Sequence, residues 1–562
     1  MDLALEASIE EFSYPRGTDP AIRDIDLSVR RQEFVAVAGP AGSGKTTLCH
    51  CLTGVIPHFV TGSYRGSVRV MGQNLSKMRL PEIAPLVGFV QQRPENQLFS
   101  MTVEEDVAFG PENLCLQPDE IRGRIDEGLT SVGMNGFASR SPDSLSGGEA
   151  QRAVLGSVLA MGPDLLILDQ PAAELDPVGR KMVYSTLCRL NREAGKTIVL
   201  VEDRLDDVLP FLTRVVLMFD GRIVRDEPPR QFFSSDAPSS YGVRVPDILK
   251  SHHPSENGHR EQRRLLPDGS EKRDGSADGP DPNGFLPPAG REIRSQEPRL
   301  KPLGSHILEV RDLRYRYPRS GRWAVQGVSF GFGRGEFAAL IGGNGAGKTT
   351  VAKQLAGLLR PTEGMVMVDG QDISREPLAR LSGTVGYLFQ DPDYQIVCNS
   401  VFDEAGFGLK VKKLPSDRIA ELVHAHLLKV GLSHLADRHP YSLSRGQRQR
   451  LALASILIRE PRVLVVDEPT TALDYRETIQ MMEILAEFRQ KGGTVIMVTH
   501  DLEMVLRYTR RSVVMADGEV VLDVATEDLR FYPDDLARAS IQLPDTFFQF
   551  EDQRDCYASN HM

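Results

Sequence analysis

The stretch GPAGSGKTT, Gly39 to Thr47, returns 303 residues later as GGNGAGKTT, Gly342 to Thr350. Each copy follows an apolar run, FVAVAG or FAALIG, and precedes a segment expected to be helical. A glycine-rich turn between a buried strand and a helix points backbone N–H groups at phosphate oxygens, and the positive end of the helix dipole adds to the attraction. Gly39, Gly42, Gly44, Lys45, Thr46 and Thr47 are therefore candidate nucleotide-binding residues, as are Gly342, Gly345, Gly347, Lys348, Thr349 and Thr350. Each lysine suits β- and γ-phosphates, and the hydroxyls of Thr46 and Thr349 suit Mg²⁺.

The repetition extends outward from these loops. LVGFVQQRPENQLF, from Leu86, matches TVGYLFQDPDYQIV, from Thr384; LSGGEAQR, from Leu145, matches LSRGQRQR, from Leu443. LLILDQPAAELDP, from Leu165, matches VLVVDEPTTALDY, from Val463, and IVLVEDRL, from Ile198, matches VIMVTHDL, from Val495. The separation is 303 residues at Lys45 and Lys348 and 298 at Asp169 and Asp467, so a whole domain is duplicated in tandem. A chain of 562 residues has room for both. The expected organisation is a first domain over 1–245, a flexible tether over 246–305 and a second domain over 306–562 that ends in a polar tail beyond about 535. The tether is rich in proline, glycine and charge and lacks apolar periodicity, so its His252–His253 pair reads as solvated linker.

Within each copy, short apolar runs alternate with longer helix-like stretches, which predicts an α/β fold around a mainly parallel sheet. LLILD and VLVVD are unbroken apolar runs that end in Asp169 and Asp467. Strands buried on both faces look like this. A carboxylate at such a strand end, beside a phosphate loop, suits Mg²⁺ held through its water shell.

Composition narrows the classes further. Hydrophobic residues at 41% and charged residues at 25% are ordinary for a globular protein, and a net charge of −11 argues against non-specific nucleic-acid binding. Six scattered cysteines form no disulfide or zinc framework, and Cys49 and Cys51, two apart on an expected helix, do not share a face. No stretch approaches the roughly 20 apolar residues needed to span a bilayer, and MDLALEASIE has no signal-peptide pattern. Any membrane component is expected in another protein.

LSGGE (Leu145 to Glu149) and LSRGQ (Leu443 to Gln447), together with the phosphate loops and strand-end aspartates, resemble the signature set of the ATP-binding-cassette (ABC) ATPases. The resemblance implies two phosphate-loop NTPase domains, each with a helical signature subdomain. ATP would lie between one domain's phosphate loop and the other's signature, so Ser146, Gly147 and Gly148, and Ser444 and Gly446, would face γ-phosphate. Tyr14 and Tyr317, each 25 residues before the first loop glycine and each followed by proline, would stack on adenine, with Tyr315 a rival in the second copy. Gln92 and Gln390 fall at the Q-loop position, where a glutamine links γ-phosphate and Mg²⁺ to a surface that touches a transmembrane subunit.

Departures from the family pattern are unevenly placed. After the strand-end aspartate the second copy has Glu468, suited to polarise the attacking water, whereas the first has Gln170, an amide that cannot accept a proton as a carboxylate does. His500 stands where the family senses γ-phosphate, and Asp203 stands there in the first copy. An acid facing phosphate repels it unless a metal or a cation intervenes. Arg445 replaces a signature glycine. All three departures fall in the composite site built from the first loop and the second signature. The other, with Gln390, Glu468 and His500 as its catalytic set, matches throughout, so one hydrolytic site and one that mainly binds ATP are expected.

PENQLFSMTVEEDVAFGPENL (Pro94 to Leu114) resembles the energy-coupling-factor (ECF) type of ABC ATPase, and DPDYQIVCNSVFDEAGFGL (Asp391 to Leu409) is a looser version. That resemblance implies an importer of vitamins, their precursors or transition-metal ions such as cobalt and nickel. The partners would be a transmembrane coupling subunit and a separate substrate-binding membrane protein, with no nucleic acid. The chain would sit peripherally on the cytoplasmic face of the cell membrane as an intramolecular heterodimer of ABC domains. Another importer class, such as the monosaccharide type, and a soluble ribosome-associated tandem ABC factor are the alternatives. The PENQLF stretch counts against the first, and a tether broken by proline and glycine counts against the second.

Overall fold

The computed structural model describes residues 2–15, 19–173, 175–234, 237–246, 306–318, 321–381, 383–412 and 414–543. Residues 247–305, which hold nearly all of the expected tether and its His252–His253 pair, and the tail from 544 lie outside the described residues. The first copy runs β1 (Leu3–Ser13), β2 (Ile22–Arg30), β3 (Phe34–Ala38), β4 (Ser63–Val70), β5 (Gln73–Asn74), β6 (Val87–Val90), β7 (Leu165–Asp169), β8 (Thr197–Val201), β9 (Arg214–Phe219) and β10 (Arg222–Glu227). The second runs β11 (Leu308–Tyr315), β12 (Val325–Phe332), β13 (Phe337–Ile341), β14 (Glu363–Val368), β15 (Gln371–Asp372), β16 (Val385–Leu388), β17 (Val463–Asp467), β18 (Thr494–Val498), β19 (Arg511–Ala516) and β20 (Glu519–Ala525).

Each copy has an antiparallel sheet, ordered β2-β1-β4-β5 or β12-β11-β14-β15, and a six-stranded sheet, ordered β10-β9-β3-β8-β7-β6 or β20-β19-β13-β18-β17-β16. In the larger sheet only the hairpin strand β10 or β20 runs antiparallel to its neighbour. The runs FVAVA, LLILD and TIVLV form β3, β7 and β8, with every residue buried, as strands covered on both faces must be. Because β7 pairs in parallel with β8, Asp169 lies opposite Val201, and the next residues of both strands emerge side by side at one edge. The same register sets Asp467 opposite Val498. This edge is where the phosphate loops sit, following β3 and β13.

Helix α1 (Lys45–Leu52) leaves the first loop; α2 (Gly147–Ala160) and α3 (Pro177–Arg192) follow in the same copy. Helix α4 (Lys348–Leu355), α5 (Arg445–Leu457) and α6 (Tyr475–Gln490) are their counterparts. Cys49 and Cys51, expected on separate faces, are both buried, since α1 packs into the apolar cluster that joins the two sheets. Burial pushes the Cys51 thiol up to about 12, so neither environment favours a metal-binding thiolate.

The described residues just beyond 535, expected to open a polar tail, are instead packed against the second domain. Helix Pro533–Arg538 tucks Leu536 into the second core, Ala539 is buried behind it, and the Ala539 carbonyl accepts the Gly343 N–H at 2.7 Å. A turn of chain that reads as polar is thereby fastened to the second phosphate loop. No helix among the described residues is long and apolar enough to cross a membrane.

Candidate functional site

The two phosphate loops have the same backbone. Gly39 and Gly342 adopt φ of 154° and 156°, and a Cβ at either would lie 2.2 Å from a backbone carbonyl oxygen, of Met218 or Met515. Only glycine fits there. Lys45 Nζ donates to the Gly39 and Pro40 carbonyls, the latter at 3.1 Å. Lys348 Nζ donates to the Gly342 and Gly343 carbonyls, both at 2.8 Å. Both lysines are buried, and burial pushes Lys348 below its ordinary value despite Glu468 and Asp467 nearby.

The expected metal-side residues converge. Thr349 Oγ1 donates to Asp467 Oδ1 at 3.2 Å, and the Tyr387 hydroxyl donates to Asp467 Oδ2 at 2.8 Å. In the first copy Thr46 hydrogen-bonds Asp169, while Phe89 replaces the tyrosine. Burial raises both aspartates from their ordinary value, and their hydroxyl partners pull the other way. Gln92, half-buried, and Gln390, exposed, follow β6 and β16. The backbone just before each is held by a signature-helix glutamine: Gln151 Nε2 donates to Gln91 O at 3.3 Å, and Gln449 Nε2 to Phe389 O at 3.0 Å.

The signature serines start α2 and α5. Ser146 Oγ accepts the Glu149 N–H at 3.4 Å while the Glu149 carboxylate accepts the Ser146 N–H at 2.8 Å, and Ser444 with Gln447 repeats the arrangement at 3.2 and 2.9 Å. These capping boxes leave the following N–H groups of Gly147 and Gly148 at a helix N-terminus. Gly446 is closely covered, since a Cβ there would meet the Glu477 carboxylate at 2.2 Å. Tyr14 and Tyr317 are partly exposed, and each hydroxyl lies 3.1 Å from a phosphate-loop hydroxyl, Thr47 Oγ1 or Thr350 Oγ1. Tyr315 is buried, 4.9 Å from the Tyr317 ring in edge-to-face contact. Of the two, Tyr317 has the free face.

The copies differ most at the ends of β7/β8 and β17/β18. Glu468 Oε1 meets His500 Nδ1 at 2.9 Å, and Glu468 Oε2 accepts from Thr471 at 3.3 Å and Thr499 at 3.4 Å. Burial pushes the Glu468 carboxyl up, but His500, Lys348 and Thr471 outweigh it and hold the group ionised, below its ordinary value. In the first copy Gln170 Nε2 donates to Asp203 Oδ2 at 2.6 Å, and Lys45 Nζ lies 3.2 Å from Asp203 Oδ1. Burial raises Asp203, partly countered by Lys45. Behind it, the buried Glu202 accepts from the Tyr184 hydroxyl at 2.5 Å and from the Asp203 N–H at 3.0 Å.

Several residues at this site were not singled out from the sequence. Asp176 caps α3 through Oδ1, accepting Gly179 N–H at 2.7 Å, and reaches across with Oδ2 to Asn344 N–H of the other copy's loop at 3.3 Å. Asp474 does the same for α6, accepting Glu477 N–H at 2.7 Å and Ala41 N–H of the first loop at 2.8 Å. The two recur at the same offset within the repeated ELDP and ALDY segments, which was the available signal. The copies also meet through Arg93 with Asp391 at 3.2 Å and through the buried Arg244 with the half-buried Glu503 at 2.8 Å.

Two phosphate loops, each touched by the strand-to-helix aspartate of the opposite copy and each beside a strand-end carboxylate, define a tandem phosphate-loop ATPase. The ABC transporter family pattern matches residues 22–173 and 325–471. An ABC transporter ATP-binding protein of Methanosarcina acetivorans is 39% identical over 95% of this chain and 88% of its own length. One from Caldanaerobacter subterraneus subsp. tengcongensis is 36% identical over 97% of both chains. The solved structure of Clostridium perfringens cbiO1, titled as part of the ABC transporter complex cbiONQ, is 35% identical over 44% of this chain and 99% of that one, with a TM-score of 0.38. The chain belongs to the ABC transporter family: it is an ATP-binding subunit with two ABC domains, and it hydrolyses ATP to drive transport.

Proposed function

We propose that this chain powers an ECF-type importer through one hydrolytic ATP site and one degenerate site that mainly binds ATP. The observation that carries the division of labour is the contrast between the Glu468–His500 pair and the Gln170–Asp203 pair. In the hydrolytic site an ionised carboxylate, oriented by a histidine and two threonine hydroxyls, accepts hydrogen bonds from the attacking water. Lys348 and the loop N–H groups hold the phosphates, Tyr317 stacks on the base, and Ser146, Gly147 and Gly148 close over the γ-phosphate from the other copy. Thr349 and Asp467, with Gln390, offer the hard oxygen ligands Mg²⁺ prefers, and bound Mg²⁺ would neutralise charge developing on the phosphates. In the degenerate site Thr46, Asp169 and Gln92 hold the same positions, with Gly39, Gly42, Gly44, Lys45, Thr47 and Tyr14 around the nucleotide and Ser444 and Gly446 opposite.

The reading of a membrane partner rests on the two loops that follow the Q-loop glutamines. Phe99 and Met101 are 65% and 81% exposed, and Tyr394 and Val397 are 80% and 68% exposed. Each loop is nonetheless fixed: the buried Asp106 accepts the Phe99 and Ser100 N–H groups, both at 3.1 Å, and the buried Glu404 accepts those of Val397 and Cys398, both at 2.8 Å. A rigid backbone that presents apolar side chains to solvent suits docking onto partner helices. The first of these loops carries the PENQLF stretch that resembles the ECF type. A cytoplasmic-face location follows from that partnership.

The test is a pull-down of the tagged chain from detergent-solubilised native membranes. Recovery of a coupling subunit with a small substrate-binding membrane protein supports the proposal and narrows the cargo. Recovery of a sugar permease or of ribosomes overturns the ECF reading while leaving the ATPase chemistry intact.

A further inference from the structure

The helical parts of the two copies align residue for residue, yet they close differently. In the first copy helix Pro118–Ser131 lies directly on α2, with Gly128 against Gly156: a Cβ at Gly128 would stand 2.8 Å from the Gly156 carbonyl oxygen. Arg189 of α3 donates to the Ser131 carbonyl and bridges the same gap. At the matching positions, 298 residues on, the second copy has His426 and Ala454 for the two glycines, Glu487 for Arg189 and Lys429 for Ser131. Side chains at both former glycines rule out that close contact, and a glutamate cannot donate to a facing carbonyl. A cavity of about 540 Å³ opens there, between helix Ser416–Lys429, α5 and α6.

Its walls are apolar, formed by Ile307, Val430, Leu457, Ile484 and Phe488, and the exposed Arg334, Lys429, Arg462 and Lys491 make its rim cationic. Arg334 and Arg462 share one carboxylate, Asp369, the second at 2.6 Å, and Lys491 pairs with Glu487. Lys429 enters no ion pair among the described residues, although Glu487 feels its charge. Glu460 is the remaining acid of the lining, and burial pushes the His426 imidazole down, which keeps it neutral at pH 7. Four cations against three carboxylates leave one net positive charge. That surplus suits a monoanion rather than a polyphosphate, and walls without hydrogen-bonding groups suit an apolar body. The volume lies within the roughly 300–1,000 Å³ of small-molecule sites. Ala454 is about 15 Å along α5 from the signature serine Ser444, so the cavity is separate from either nucleotide site.

We propose that this cavity binds a small amphipathic monoanion, a carboxylate on an aromatic or branched aliphatic body, with Lys429 as its anchor. The first copy, closed by Gly128, Gly156 and Arg189, has no equivalent site, so one ligand binds per chain.

The experiment is calorimetric titration of the full chain with 4-phenylbutyrate and 1-naphthoate, and with the alcohols 4-phenylbutanol and 1-naphthalenemethanol. Excess Mg-bound non-hydrolysable ATP analogue keeps the phosphate loops from taking the probes. At least one carboxylate is expected to bind, one per chain, about tenfold more tightly than its alcohol. Lys429→Glu should weaken the carboxylate at least about tenfold and leave the alcohol within about threefold, a split that general loosening of the fold would not produce. Ile484→Trp, which narrows the cavity from a half-buried wall, should weaken both. Failure of both carboxylates to bind overturns the proposal, as does binding no tighter than the alcohols or binding that survives Lys429→Glu. Sedimentation of the chain alone covers the other occupant: self-association that Lys429→Glu abolishes would make this face an interface between copies and overturn the ligand site.

Discussion

Glu202 has no acidic counterpart in the second copy, where Thr499 stands, and its replacement by glutamine gives a sharp test of how burial acts in the first domain. Glu202 is 5% exposed, and its carboxyl accepts from the Tyr184 hydroxyl and the Asp203 N–H. Burial pushes it from an ordinary 4.5 up to about 7, opposed chiefly by the Tyr184 hydrogen bond. At ~1.4 kcal/mol per tenfold change in proton affinity, the ionised form is disfavoured in the folded state by about 3 kcal/mol. The sign follows from linkage. Between pH 4.5 and about 7 the folded protein holds a proton that the unfolded chain has released, so stability falls as pH rises through that window. Below it there is no penalty, and above it the penalty is complete. Glu202→Gln keeps an acceptor for the backbone N–H and an amide that can donate to the Tyr184 oxygen, but it cannot ionise. The substitution should therefore stabilise the first domain by up to about 3 kcal/mol at pH 8, a rise in its melting temperature on the order of 5–10 °C, and should change little at pH 4. Hydrogen exchange of the β8 peptide reads the first domain alone, and fluorescence of the single tryptophan, Trp323, reports the second as an internal control. If the variant gains nothing at pH 8, or gains equally at both pH values, burial of an ionisable carboxyl does not govern this region.

Further outcomes follow from the site geometry. Glu468→Gln should lower ATP turnover at least about 100-fold, measured by phosphate release, while Gln170→Glu should leave it within about threefold. Turnover preserved in the first variant, with Lys45→Ala abolishing it, would reverse the assignment of the sites. Asp176→Ala, which frees the second loop's Asn344 N–H, should cut turnover more than Asp474→Ala, although each loses a helix cap of about 1 kcal/mol by the same measure of thermal unfolding. Arg244→Ala removes the inter-copy ion pair with Glu503 and should weaken docking of the two domains by about 3 kcal/mol, seen as faster hydrogen exchange across the interface with each core unchanged. Phe99→Asp combined with Tyr394→Asp should abolish recovery of membrane partners while leaving ATP hydrolysis by the purified chain unaltered.

The sequence alone determined the duplication, the sheet and the nucleotide chemistry, because each of these is written in local pattern. Apolar runs such as LLILD specify strands with two covered faces wherever they occur, and a glycine forced to φ near 155° can be only glycine, so the phosphate loops declare themselves. The asymmetry of Glu468 against Gln170 and of His500 against Asp203 was legible for the same reason, as a mismatch between aligned copies. What the tertiary structure decided are the contacts between positions far apart in the chain. Asp176 and Asp474 are marked in the sequence only by their place in the repeated ELDP and ALDY segments; with the copies apposed, one oxygen of each caps a helix and the other holds the opposite loop. Lys45 and Asp203, 158 residues apart, become an ion pair only because β3 and β8 are neighbours in the sheet. Glu202 becomes a hidden acid only because α3 lays Tyr184 over it. The segment just beyond residue 535 is expected to be polar, yet Leu536 and Ala539 are buried in the second core, Ile541 and Leu543 pack against it, and the Ala539 carbonyl meets Gly343. Pattern reports which face of an element is apolar; which charge that face brings to which other is set by packing, and packing is a property of the folded whole.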